Sequence, residues 1–385
     1  MTEGPADVPM LAIVREWTRI GIIGFGGPPA HIALLRDLCV TRRGWISATE
    51  FEDGIAATNL LPGPASTQLA IYCAWRLRGA VGGLIGGLCF IVPGFVVIMG
   101  LSAVLLSGHP ARPVLGAAAG AAAAVAAVAM RAGAGLIPAS WTRARTTSGA
   151  RNRWMAYVIA GGLAATTLGP LLVFVLLAAG AIECVVQVRP RLRRSAALPL
   201  ALGSMGSGGV LGLLSWTALK VGALSYGGGF VIIPLMRSDA VTRHHWMTSD
   251  QFLYAVALGQ ITPGPVVQTV AVVGYAAAGI VGGTLAAIVA FAPSFGFVLG
   301  GGRYFDRLRA NRAVQAFLAG AGPAAIGAIL GSAVLLGVSI SHLWQVPVLV
   351  AAMIWLLALR RGVVTALIGA GLIGLVAALA GLPIG

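Results

Sequence analysis

The chain carries the same passage twice. Residues 24–45 read GFGGPPAHIALLRDLCVTRRGW, and residues 225–246 read SYGGGFVIIPLMRSDAVTRHHW. At a constant offset of 201 positions, Gly26, Gly27, Arg36, Val40, Thr41, Arg42 and Trp45 fall on Gly227, Gly228, Arg237, Val241, Thr242, Arg243 and Trp246. The same offset carries Phe51 onto Phe252 and Pro62-Gly63-Pro64 onto Pro263-Gly264-Pro265. One residue is then lost, and Gly82-Gly83 and Pro93 meet Gly282-Gly283 and Pro293. A register held over about 70 residues is a duplication, and a duplicated chain must fold as two copies of one unit. The first copy occupies 1–194 and the second 215–385, with 195–214 as a linking helix or linker.

The medium follows from how few charges there are. Only 10% of residues are charged and 58% are hydrophobic, with a mean hydropathy of +0.91. A soluble domain carries about 25% charged residues, and it must still dress its outside with polar groups. At about 20 apolar residues per crossing, the chain reads as an all-α polytopic membrane protein. The apolar runs are 10–35, 51–75, 80–106, 113–137, 154–168, 171–188, 195–214, 215–236, 251–275, 279–300, 313–338, 345–360 and 363–382. That makes about 13 transmembrane helices, or 12 if the Gly- and Ser-rich 195–214 does not cross. Soluble enzyme, secreted disulfide scaffold and coiled coil are excluded. Cys39, Cys73, Cys89 and Cys184 have neither disulfide-framework nor zinc spacing. No basic region precedes the first apolar run, so no cleavable signal peptide is expected.

The net charge of +15 comes from arginines in short loops, Lys220 being the single lysine. Such a pattern reports topology, not nucleic-acid binding, and the expected partner is the lipid bilayer. The bias is opposite in the two copies. Residues 139–153 hold Arg143, Arg145, Arg151 and Arg153, while their counterpart 339–345 holds none. Conversely, 107–112 holds Arg112 alone, and its counterpart holds Arg303, Arg307, Arg309 and Arg312. Two inverted-topology repeats are therefore predicted, in the cell membrane, with the N-terminus cytoplasmic and the C-terminus outside.

Features kept despite inversion cannot be there for topology. Arg36/Arg237 and Arg42/Arg243 fit attraction or docking of an oxyanion by a guanidinium that stays charged. The bland alternative is a helix-terminal charge or a lipid headgroup contact. The two Pro-Gly-Pro tripeptides lie inside apolar runs, preceded by Asn59 or Gln260 and followed by Thr67-Gln68 or Gln268-Thr269. Prolines remove backbone donors and glycine permits an unwound turn, which predicts broken helices. A break exposes amide groups and a half-helix dipole, suited to an anion near the bilayer midplane. A plain packing kink is the alternative. Gly26-Gly27 and Gly227-Gly228 suggest a second broken pair or close helix packing. Asn59 and Gln260 suit amide donation to a substrate or an interhelical bond. Lys220 matches Arg19, and each is a base within an apolar run, either functional or snorkelling to the interface.

Other candidates are weaker. Glu50, Glu52 and Asp53 meet Gln251, Leu253 and Tyr254, so that cluster reads as a helix N-terminal charge match rather than a proton path. Glu183 reads as interfacial. The five histidines show no ligand spacing, and no GxxxxGK[ST] appears, so neither a metal site, a cofactor nor ATP hydrolysis is expected.

The patterns FGGPPAHIALLR, RRGW and NLLPGPASTQLAIY, with the second copies YGGGFVIIPLM, RHHW and GQITPGPVVQT, resemble the chromate ion transporter (CHR) family in its long two-domain form. The resemblance implies a secondary transporter exporting chromate and conferring resistance to it, with sulfate as a similar oxyanion. It leaves open a carrier for another oxyanion such as sulfate, an anion channel, and a homo-oligomer. An intramembrane enzyme would need a nucleophile–base pair or metal ligands within the spans, and the sequence supplies neither.

Overall fold

The computed structural model describes residues 8–384 apart from 60, 109, 145–148, 189–208, 226–228, 302–306 and 308–309. Among the described residues all regular structure is helical. The first copy holds α1 (Met10–Ile23), α2 (Pro28–Arg36), α3 (Ala48–Thr58), α4 (Ala65–Leu105), α5 (Arg112–Arg143), α6 (Ala150–Thr167) and α7 (Leu172–Val188). The second holds α8 (Val210–Leu224), α9 (Ile233–Arg237), α10 (Ser249–Ile261), α11 (Thr269–Phe295), α12 (Arg312–Val338), α13 (Gln345–Met353) and α14 (Val363–Leu379). Helices α4, α5, α12 and α11 with its flanking turns are long and apolar enough to cross a membrane. Leu84, Leu88, Val92 and Val96 on α4, and Leu372, Val376 and Leu379 on α14, face outward as apolar stripes. Hydrocarbon, not water, suits such a surface. Most of the linking segment 195–214 lies outside the described residues.

Local chemistry repeats with the duplication. Ser47 caps α3 by accepting from the Glu50 amide, and its counterpart Thr248 forms a capping box with Gln251 at the start of α10. Helices α4 and α11 each double back early, at Gly79 (φ 62°) and Gly279 (φ 61°), a conformation that glycine adopts without strain. After the turn Gly82 lies against Ala74, and Gly282 against Gly274. Residues eight apart in a straight helix stand about 12 Å from one another, so each helix is two antiparallel arms.

This changes two of the expected spans. In the first copy α3 runs antiparallel to the 65–77 arm of α4, with Glu50 paired to Arg76 and Gly54 beneath the Tyr72 ring. Pro62-Gly63-Pro64 is the turn at the tip of that hairpin. The second copy repeats the arrangement, with Gly259 of α10 against Thr269 and Pro263-Gly264-Pro265 between the helices. The sequence reading drew 51–75 and 251–275 as single crossings. Hydropathy could not tell them apart, because short helices buried in protein need as much apolar surface as one helix in lipid.

The long helices interlock the copies. Helix α5 runs antiparallel to its counterpart α12, with Gly133 against Leu330 and Gly337 near Ala126. Gly116 and Gly120 of α5 also meet Gly374 of α14, and Gly320 of α12 meets Ala179 of α7. Each copy thus grips the last helix of the other through small residues, which let backbones approach closely.

Candidate functional site

The hairpin tips meet the opposite copy. The Gly63 N–H donates to the Ser225 carbonyl at 2.9 Å, and the Gly264 N–H donates to the Gly24 carbonyl at 2.9 Å. Gly63 and Gly264, and likewise Gly24 and Ser225, are duplicates at the 201 offset. The two bonds are therefore one contact made twice, once by each copy. Both glycine amides, which the sequence reading left free for an anion, are spent on this brace.

The duplicated glutamines differ in what they hold. Gln68 Nε2 donates to the Pro62 carbonyl of its own turn at 2.8 Å. Gln268 Nε2 instead crosses to the Ile91 carbonyl of the other copy, also at 2.8 Å. His31, fully buried, adds a third tie on the α2 side. Its Nε2 donates to Gly24 O at 2.9 Å, and its Nδ1 stands 3.2 Å from Ser66 Oγ.

A cavity of about 690 Å³ reaches the first tip. Its lining includes Asn59, Gly63 and Ala65, together with Arg143, Gln187 and Gln315. Ala56 and Asn59 line it, and with Glu52 and Pro62 they are exposed, whereas the duplicates Leu253, Ala257, Gln260 and Pro263 are buried. On that second side α10 packs against α5 and α14. Around the two tips, several buried polar atoms have no partner among the described residues: Thr67 Oγ1, Gln68 Oε1, Ser225 Oγ, Gln260 Nε2, Gln268 Oε1 and Ser294 Oγ.

The arginines stand elsewhere. Arg36 pairs with Glu52 at 2.9 Å near the base of the first hairpin, and Arg42 pairs with Asp37 at 2.7 Å. Arg237 reaches Ser249 Oγ at 3.4 Å, at the start of α10, and Arg243 is exposed. An 11-residue α3 is about 16 Å long, so Arg36 and Pro62 sit at opposite ends of the hairpin. Lys220 pairs with buried Asp239, which also accepts from Thr217 Oγ1 at 3.0 Å. Gly26 and Gly27 form the positive-φ link between α1 and α2, while Gly227 and Gly228 lie outside the described residues.

Two sets of residues escaped the sequence reading. Glu183 is buried in the cavity wall, accepting from Arg153 at 2.9 Å, Tyr157 at 2.9 Å and Gln187 at 2.8 Å. Ser225 and Ser294 stand where the other copy has Gly24 and Gly94. Comparing the copies for hydroxyls that replace glycine would have found them.

The architecture is that of a multi-pass helical membrane protein with a polar centre where two copies cross. The sequence matches the chromate transporter family over residues 11–184 and again over 212–375, and the chain belongs to that family. It is similar to the chromate transport protein of Cupriavidus metallidurans, 31% identical over 95% of this chain and 92% of that protein. A probable chromate transport protein of Synechococcus elongatus is 30% identical over 84% of each chain. The chromate transport protein of Pseudomonas aeruginosa is 31% identical over 84% of this chain and 80% of its own length. No solved structure matches the chain.

Proposed function

We propose that the protein is a secondary carrier that exports chromate across the cell membrane, built from two inverted repeats with the N-terminus in the cytoplasm. The observation that carries this is the cavity ending on Gly63 while the duplicate face of α10 is packed shut. A path open at one end and closed at the other is what alternating access requires of one state. Antiparallel packing of α5 on α12 supports the inversion. The mouth adjoins the ends of α5 and α12 nearest the arginine-rich loops, so the positive-inside rule makes it cytoplasmic.

The substrate site lies at the Pro-Gly-Pro tips. Asn59 points into the cavity, Thr67, Gln68, Gln260 and Gln268 bring polar groups, and the first arm of α4 begins at Ala65 with its positive dipole end toward the ligand. Arg36 and Arg237 act at the hairpin bases by attracting the anion. Exporting a dianion from a cell negative inside gains about 4.6 kcal/mol at 100 mV. That supports a gradient on the order of 10³ without ATP.

Flux in proteoliposomes at clamped potential tests the reading. Saturable chromate transport, driven outward by a negative interior and showing counterflow, is expected. Unsaturable conductance means a channel, and sulfate carried in preference to chromate means a different oxyanion transporter.

A further inference from the structure

The duplication offers two places for an anion, one at Gly63 and its duplicate at Gly264. Resting on the functional reading above, we infer that only the first is used, and that Ser225 and Ser294 are its further ligands, donating their hydroxyls to the oxyanion beside Gly63. Both serines are fully buried, and neither Oγ has a partner among the described residues. Ser294 Oγ stands 3.1 Å from where a β-carbon on Gly63 would lie, and the Ser225 carbonyl holds the Gly63 amide.

A serine inside a helix ordinarily returns its hydroxyl to the carbonyl four residues earlier. Ser102 does so to Ile98 at 2.7 Å, and Ser332 to Ala328 at 2.7 Å. Ser294, also inside a helix, makes no such bond. A buried hydroxyl left without a partner is costly, so its retention points to a ligand.

The second tip lacks both hydroxyls. The duplicates of Ser225 and Ser294 are Gly24 and Gly94, which have no hydroxyl to offer. Gly94 packs against the Pro263 carbonyl, and Gln268 ties the tip to Ile91 of the opposite copy. Pro263, Gly264 and Pro265 are buried, whereas Gly63 and Ala65 border the cavity. The second tip is a brace, and the first is the binding half. Gln68 Oε1 accepts only, so it meets the anion through a bridging water that donates to both.

The test is concentration-dependent chromate flux in proteoliposomes, together with chromate bound per chain by equilibrium dialysis. Ser225→Ala and Ser294→Ala should each raise KM about tenfold, the effect of one hydrogen bond to a charged group. Their kcat and melting temperature should stay near wild type. One chromate should bind per chain. Wild-type KM in both serine variants, or two chromates per chain, overturns the inference while a transporting wild type leaves the functional reading standing. A wild-type chain that carries no chromate overturns both.

Discussion

Replacing Gly63 by alanine concentrates its damage on the hairpin tip. Gly63 has φ +127°, where an L side chain is strained by about 1–3 kcal/mol. The added β-carbon would press into the Gln68 amide and stand 3.1 Å from Ser294 Oγ. Gln68 must then swing away from Pro62, losing a bond worth about 1 kcal/mol. Together these come to about 2–4 kcal/mol, a roughly 30- to 700-fold shift in the equilibrium between the native and displaced tip. Chromate flux should fall by up to a factor in that range while membrane insertion and yield hold. Gly264→Ala meets only Gln268 Nε2 at 3.3 Å, so it carries strain without the collision and costs less flux. Gly44→Ala, at φ +60° in open space, keeps wild-type flux despite about 1–2 kcal/mol of strain. Flux in proteoliposomes, normalised to inserted protein, reads all three. Gly63→Ala at the wild-type rate, or Gly44→Ala as damaging as Gly63→Ala, would refute the reasoning.

Removing one member of the buried Lys220–Asp239 pair leaves an uncompensated charge. Lys220→Met should therefore destabilise by about 3–5 kcal/mol, with recovery in Lys220→Met/Asp239→Leu, as read by thermal melts. Arg36 is half exposed and paired, so Arg36→Gln should raise the chromate KM only two- to threefold, roughly, at low salt, and not at all near 0.5 M. Cysteines at Ala150 and Asn311 should label from the cytoplasm and one at Leu343 from outside. Labelling of 150 and 343 from the same side would favour a parallel arrangement of the copies.

The duplication, the helical class and the membrane setting were legible because each rests on a pattern spread over many residues. The hairpins were not. Residues 51–75 are apolar enough for one crossing, and only the tertiary contacts Glu50–Arg76 and Gly54–Tyr72 fold them back. The Pro-Gly-Pro turns drew notice because they are repeated, but their amides face the other copy, which no local signal reveals. The inequality of the two tips lay in plain view as Ser225 for Gly24 and Ser294 for Gly94. Searching only for what the copies share hides it. The ties that bury Glu183 have no local signal, because its partners Arg153 and Tyr157 belong to a neighbouring helix.

The glycine seams joining α5 to α14 and α12 to α7 bear on whether either half can stand alone. Cut at the linker, either half would show a small-residue groove to lipid and leave its tip glycine amide without the opposing carbonyl. On the proposed inversion, what completes a lone half is a second half inserted the other way up. Residues 1–194 and 195–385 produced as separate polypeptides should accordingly accumulate only when made together.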